Sequence, residues 1–283
     1  MNLNKSYNIR SVGPAGIPVI GLGTWQLTGK QCSQIVSQAL QLGYEHIDTA
    51  QAYSNEAEVG QGIKQSGVAR EKFFLTTKIF PDDLKFKPEK LLAAAECSLE
   101  NLGVDYVDLL LLHWPDSRVP LSETMPALCE LQKQGLTRNI GVSNFTIDYL
   151  LEAKAHADLP IAVNQVEFHP FIKQDNLQAF MSNHHIPLEA YSPLARGKVF
   201  DNAIIKNIAD KHGISASQVS LAWILTDKKR IAIPKTATPE HLQDNLNAIN
   251  VQLDSEDIAQ LNSLASPDGR LVEHPDYTPD WDN

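Results

Sequence analysis

Gly21-Leu22-Gly23-Thr24-Trp25-Gln26 ends the first apolar run of the chain and decides between two folds. An open, doubly wound sheet that binds a dinucleotide carries Gly-x-Gly-x-x-Gly at its first strand-to-helix turn, where the third glycine lets helix and strand pack closely. Gln26 stands where that glycine is needed, so the fingerprint fails. No Gly-x-x-x-x-Gly-Lys-Ser/Thr occurs elsewhere, which excludes the phosphate loop of the common NTPases.

Outward from this turn, a unit of short apolar strand, polar turn and amphipathic helix repeats along the chain. The pattern predicts strands at 20–22, 46–48, 73–78, 107–113, 139–142, 162–167, 187–191 and 231–234. Helices fill the gaps. Ile35, Val36, Ala39 and Leu40 form one stripe that Gly43 would stop with a left-handed cap, and Leu91, Leu92, Ala95, Leu99 and Leu102 form another before Gly103. Thr238-Pro239 and Asp254 read as helix N-caps. Eight such units in 283 residues predict a closed (β/α)8 TIM barrel, an α/β fold, as a single domain over 1–283. An additional helix is expected between the seventh and eighth strands, from 204–212 and 217–225, and the C-terminal tail is short.

Composition agrees with this architecture and narrows the function. Apolar residues make up 43 % and charged residues 20 %, and no apolar run approaches the ~18 residues of a membrane span. A net charge of −10 repels a phosphate backbone, so neither nucleic acid nor membrane is expected as a partner. The polar start at 1–10 and the broken run at 17–22 do not read as a signal peptide, which predicts a cytoplasmic protein. Cys32, Cys97 and Cys129 each sit in an apolar helical pattern and read as core thiols in a reducing compartment.

In a barrel, chemistry gathers at the C-terminal ends of the strands. There the chain carries Asp48, Lys78, His113, Ser143, Gln165, Tyr191 and Lys235, at spacings of 30, 35, 30, 22, 26 and 44; the last leaves room for the extra helix. Asp48, Lys78 and His113 each end an apolar strand, so their polar groups are partly desolvated. A buried lysine needs a counter-charge or loses its proton, and Asp48 on the neighbouring strand can supply one. Tyr53 lies five residues past Asp48, within reach of the same rim. An ammonium beside it would lower the phenol from its usual ~10 and make it a general acid. With His113 orienting a substrate oxygen, the set reads as machinery for protonating a carbonyl.

No side chain here is a hydride source, so a nicotinamide is needed. Tyr191 offers a stacking face, and Ser143, Asn144 and Gln165 offer donors and acceptors for a carboxamide. Arg196, Lys198 and Lys235 lie in the loops after strands seven and eight, a common phosphate site in barrels.

Gly21-Leu-Gly-Thr-Trp25, Ile47-Asp-Thr-Ala-x-x-Tyr53-x-Asn-Glu56, Thr77-Lys78, Leu112-His-Trp-Pro115, Gly141-Val-Ser-Asn-Phe145, Asn164-Gln165 and Ile233-Pro-Lys-Thr236 together resemble the aldo-keto reductases, from about residue 17 to 265. The resemblance is closest to the bacterial 2,5-diketo-D-gluconate reductase and methylglyoxal reductase branch. It implies Tyr53 as proton donor, Lys78 and Asp48 as its partners and His113 as the orienting residue. It also implies NADPH across the mouth, with NADH accepted at lower preference. Gly23, Thr24, Trp25 and Asp48 would border that cofactor. Ser143, Asn144 and Gln165 would meet the carboxamide and Tyr191 the nicotinamide. Ser192, Pro193 and Leu194 would lie near the pyrophosphate, and Lys235, Thr236, His241 and Asn245 around the adenosine 2′-phosphate.

Trp25, Tyr53, His113 and Trp114 would form the substrate pocket. His241 departs from the arginine common in the family, which weakens the charge offered to the 2′-phosphate. The short segments 114–120 and 267–283 imply an open, fairly polar mouth suited to small dicarbonyls, sugar-derived ketones and methylglyoxal. The resemblance further implies a monomer. Two rival readings remain beside it: a nicotinamide-binding regulatory subunit with little turnover, and a lyase using Lys78 or Lys235 as a Schiff-base amine. His184-His185 lacks the spacing of a zinc helix, so no metal site is expected.

Overall fold

The computed structural model describes residues 7–282, so residues 1–6 and 283 of the expected domain, and most of the polar start, lie outside the described residues. A two-residue hairpin, β1 (Ser11–Val12) with β2 (Ile17–Pro18), precedes the main sheet. Eight parallel strands follow. These are β3 (Leu22–Gly23), β4 (His46–Asp48), β5 (Phe74–Ile79), β6 (Leu109–Leu112), β7 (Ile140–Ser143), β8 (Ile161–Glu167), β9 (Leu188–Tyr191) and β10 (Arg230–Ala232). They are hydrogen-bonded in sequence order from β3 to β10.

The sheet closes on itself. Gly21 N–H donates to the Ala232 carbonyl and Gly23 N–H to the Pro234 carbonyl, while Ala232 N–H donates to Val19. Gly23 is required at that seam, because a Cβ there would stand 2.8 Å from the Ile233 carbonyl oxygen. The fold is therefore the expected (β/α)8 barrel, with every expected strand present and its ends within three residues of the sequence reading.

Ten helices surround it among the described residues: α1 (Gly29–Leu42), α2 (Glu56–Ser66), α3 (Pro88–Leu102), α4 (Leu121–Lys133), α5 (Ile147–His156), α6 (Asp175–Asn183), α7 (Ala203–His212), α8 (Ala216–Leu225), α9 (Pro239–Asn247) and α10 (Ser255–Asn262). Both α7 and α8 lie between β9 and β10, which is the extra helix anticipated there. Gly43 stops α1 as expected, with φ 104° and N–H bonds back to Ala39 and Leu40. Asp254 caps α10 in a reciprocal capping box with Asp257.

Two local readings need correction. Thr238 holds the N-cap position of α9, but its side chain makes no capping bond; its own N–H is instead taken by the Thr236 hydroxyl. Cys32 and Cys129 are buried, whereas Cys97 is exposed on α3, because the apolar stripe of that helix runs through Leu91, Ala95 and Leu99 and turns Cys97 outward.

In parallel strands both faces are covered, one by helices and one by the barrel interior, so β5 and β8 are buried at every position. Residues two apart share a face. His46 and Asp48 thus point the same way, as do Thr76 and Lys78, and their mutual hydrogen bonds place all four inside the barrel. The interior of this barrel is polar near its C-terminal end.

The seam carries a direct test. Gly23→Ala must push the Ile233 carbonyl aside, and by analogy with other overpacked sites it should cost about 2 kcal/mol. Urea unfolding should show an earlier midpoint; an unchanged midpoint would mean that the seam is looser than its close approach indicates.

Candidate active site

Lys78 ends the inward face of β5 with a fully buried side chain. Its Nζ donates to Asp48 Oδ1 at 2.6 Å, to the Thr49 carbonyl at 2.8 Å and to the Tyr53 hydroxyl at 3.5 Å. Burial alone would strip its proton; Asp48, Tyr53 and Glu189 around it hold its pKa above the ordinary lysine value. A protonated amine with three acceptors is a poor Schiff-base nucleophile, which weakens the lyase reading for Lys78.

Tyr53 is held over this ammonium by its own loop. Asn55 donates to the carbonyls of Thr24 and Leu27 and accepts from the Thr49 hydroxyl, tying the Tyr53 loop to the Trp25 loop. Glu56 accepts from Thr77 at 2.6 Å, pinning the start of α2 to β5. The spacing Asp48-Thr49-x-x-x-Tyr53-x-Asn55-Glu56 is thus the spacing of these anchors.

One electrostatic expectation is overturned. Burial outweighs the ammonium and pushes the Tyr53 phenol above its ordinary pKa, with Lys78 lowering it and Asp48 and Glu189 adding to the rise. Tyr53 is a protonated phenol at neutral pH. His113 is held well below its usual value by burial, with Lys78 and His274 adding repulsion, so its ring is neutral. That ring meets the edge of Tyr53 at 5.7 Å between centroids.

Across the barrel from Asp48, Gln165 on β8 donates through Nε2 to Asp48 Oδ2 at 2.8 Å and to Glu189 Oε2 at 2.7 Å. Ser143 donates to the Gln165 carbonyl, Asn144 donates to the His113 carbonyl, and Tyr191 donates its phenol proton to Asn144 Oδ1 at 2.8 Å. Asn144 and Ser192 both take left-handed backbone angles, φ 63° and 48°, uncommon for residues with a Cβ. Such strain concentrates at functional sites, and here it lies just past the ends of β7 and β9.

Several of these groups line a cavity of about 330 Å³ at the barrel mouth. Of the residues singled out by sequence, Gly23, Trp25, Asp48, Tyr53, His113, Trp114, Asn144, Gln165, Tyr191, Ser192, Arg196 and Lys235 border it. Thr24, Lys78, Ser143, Pro193, Leu194, Lys198, Thr236, His241 and Asn245 do not. Lys78 and Ser143 are hydrogen-bonded to lining residues, Tyr53 and Gln165, while Thr24 keeps a buried hydroxyl with no hydrogen-bond partner and Pro193 accepts from Ser220 through its carbonyl. Thr236 bonds Thr238, while His241 is exposed and Asn245 buried on α9.

The mouth is more aromatic than the short segments predict. Val272, Glu273 and His274 of the tail line the cavity with Phe80, and His274 packs on Phe80 and Trp114. A buried carboxylate holds the tail there: Glu167 accepts from the N–H groups of Leu271 and Val272 at 2.9 and 3.0 Å. These residues escaped the sequence reading, since nothing in a polar tail indicates which backbone donors a strand-end glutamate will accept. Glu189 also escaped it, although a charge inside the apolar run 187–191 was a signal available in the sequence.

A barrel whose mouth combines a buried lysine–aspartate pair, a protonated tyrosine and a neutral histidine defines an oxidoreductase acting on carbonyl groups. The chain belongs to the aldo/keto reductase family, whose profile matches residues 19–266. It is 42 % identical over 269 residues to methylglyoxal reductase DkgB of Escherichia coli O157:H7, covering 94 % of this chain and 99 % of that protein. It is 41 % identical to glyoxal reductase of Bacillus subtilis, covering 92 % and 93 %. A crystal structure provisionally assigned as a 2,5-diketo-D-gluconic acid reductase B superposes with a TM-score of 0.94 at 40 % identity, covering 97 % and 98 %.

The tail clasp generates its own expectation. Glu167→Ala removes the acceptor of two backbone donors, so hydrogen exchange at Leu271 and Val272 should accelerate at least ~10-fold, the equivalent of about one hydrogen bond. Unaltered protection at both amides would show that the tail is held by its aromatic contacts alone.

Proposed function

We propose that this enzyme reduces small aldehydes and ketones, above all α-dicarbonyls such as methylglyoxal and sugar-derived ketones such as 2,5-diketo-D-gluconate, using NADPH with Tyr53 as proton donor. The observation that carries this reading is the hydrogen-bonded line from Asp48 through Lys78 to Tyr53, which ends in the cavity. The names of the similar proteins support the substrate class. The likeness to the family supports a monomer, and the polar start at 1–10 supports a cytoplasmic location.

The cavity fits a nicotinamide nucleotide. Tyr191 offers a ring whose hydroxyl is fixed by Asn144, the hydroxyl of Thr24 lies buried without a partner, and Arg196 and Lys235 place cations at the rim. Ser143, Asn144 and Gln165 would hold the carboxamide; Ser192, Pro193 and Leu194 would lie by the pyrophosphate. Lys235, Thr236, His241 and Asn245 would surround the adenosine phosphate, with Gly23, Thr24 and Trp25 on the opposite border. When bound, the reduced nicotinamide supplies hydride to the carbonyl carbon.

The chain's own groups manage the oxygen. Tyr53 donates its proton to the carbonyl oxygen as negative charge develops there, and the adjacent Lys78 ammonium stabilises the phenolate left behind. Asp48 keeps that ammonium in place and charged. Neutral His113 offers one ring N–H to the same oxygen and turns the substrate toward Tyr53. Trp25 and Trp114 shield the site from water. An intact donor set of this kind favours turnover over a purely regulatory role.

Following nicotinamide absorbance against a carbonyl panel tests the reading. Methylglyoxal and simple aldehydes should be reduced, and Tyr53→Phe should keep NADPH affinity while losing ~10²- to 10⁴-fold in kcat, the usual contribution of a positioned general acid. Turnover confined to bulky steroid-like ketones would defeat the substrate proposal, and near-normal kcat in Tyr53→Phe would remove Tyr53 from its role.

His241 sets a second expectation. A neutral imidazole replaces a common arginine, so NADPH should be preferred over NADH by a modest margin that rests on Lys235. His241→Arg restores a charge-assisted contact and should raise the NADPH/NADH ratio of kcat/KM about tenfold. A ratio that does not move would place the 2′-phosphate away from α9.

A further inference from the structure

Glu189 lies on β9 as the register partner of Gln165, with no exposed surface. Its Oε2 accepts from Gln165 Nε2 at 2.7 Å, while Oε1 has no hydrogen-bond partner and stands 3.6 Å from His46 Nε2. Such a buried carboxyl group is costly, and hydrophobic residues of similar size would fill the space at lower cost. The proton transfer line does not use it directly. Its one specific contact is with an amide that borders the cavity.

We propose that Glu189 is a positioning residue for carbonyl reduction: by accepting one N–H of Gln165, it locks that amide with its oxygen turned to the cavity, ready to accept from the cofactor carboxamide. The inference rests on the reading of Gln165 as a carboxamide contact. Gln165 Nε2 has two hydrogens, and the two carboxyl groups take one each, Asp48 across the barrel and Glu189 alongside. A flipped amide would set its oxygen against the Asp48 carboxylate, so the orientation is determined by the charge beneath it. Asp48 alone would leave the second hydrogen unsatisfied and the side chain free to rotate about its contact.

The arrangement is also compatible with one ammonium. The groups facing Glu189 are His46 and Asp48 on β4, Lys78 on β5 and Tyr53 above them, while β10 sets the apolar Ile231 opposite. Burial, reinforced by the charge of Asp48, pushes the Glu189 carboxyl up to about 8, and burial pulls His46 down to about 3. Near neutral pH both are uncharged. Lys78 then has a single counter-ion, Asp48, and Glu189 serves as a hydrogen-bonding group without competing for it.

The test compares Glu189→Leu, Glu189→Gln and Gln165→Leu in the full-length enzyme, with NADPH as the probe and kcat and KM measured separately. Glu189→Leu should raise the KM for NADPH about tenfold with a smaller change in kcat, the cost of one lost orienting hydrogen bond. Glu189→Gln keeps an oxygen acceptor for Gln165 and should return KM to within about twofold of wild type. A purely structural glutamate would not show this split or this rescue. Should Glu189→Leu not fold, Glu189→Met, close in length and a far weaker acceptor, replaces it. Equal impairment in the Gln and Leu variants, or an unchanged KM in Glu189→Leu, overturns the inference. An unchanged KM in Gln165→Leu overturns the carboxamide reading itself, so the two failures are distinguishable.

Discussion

A positive charge with no access to water sits at the centre of this molecule, and the surrounding structure is arranged to compensate it. Lys78 has three acceptors around its Nζ, and each comes from a different part of the Asp48–Tyr53 segment. An unpaired ammonium at this depth would cost several kcal/mol or lose its proton. The anchoring of that segment by Asn55 and Glu56 therefore stabilises the fold and the chemistry through the same bonds. The Tyr53 phenol obeys the same constraint: the burial that forces Lys78 to be paired also keeps the tyrosine protonated, the state a proton donor would need.

Burial of both faces explains why the fold was readable and part of the site was not. Strand positions could be assigned from apolar runs such as 109–112, and helix ends from Gly43 and Gly103, because these are local signals. The same double burial erases the alternation that would tell barrel interior from helix-facing side. Asp48, Lys78 and Gln165 were found because charged or amide groups at strand ends stand out. Glu189 has the same kind of signal but sits two residues before the more conspicuous Tyr191, and its pairing with Gln165 depends on the register between β8 and β9, which no local pattern shows.

The path of the tail is hidden from the sequence for a different reason. The length of a tail does not fix where it runs, which depends on whether a buried acceptor exists for its backbone. Glu167 provides one, and Phe80 and Trp114 add aromatic surface for His274. Both are non-local contacts between residues with no shared pattern. Cys97 is a different case: the periodicity of Leu91, Ala95 and Leu99 already sets it about 200° from the stripe, and burial habit, which favours a core thiol, gives way to that geometry.

The seam between the first and last barrel strands bears on how the chain reaches this state. Gly21 and Ala232 are joined by a backbone bond although they lie roughly 210 residues apart, a separation whose loop-closure entropy local pairings do not incur. Glu189 and Gln165 also belong to the second half, so while the polypeptide is being synthesised Lys78 and Asp48 exist before the groups that complete their network. The covering of Lys78 and Asp48 therefore draws on both halves of the chain: β4 and β5 supply the ion pair, while β8 and β9 supply the Gln165 and Glu189 side chains beside it.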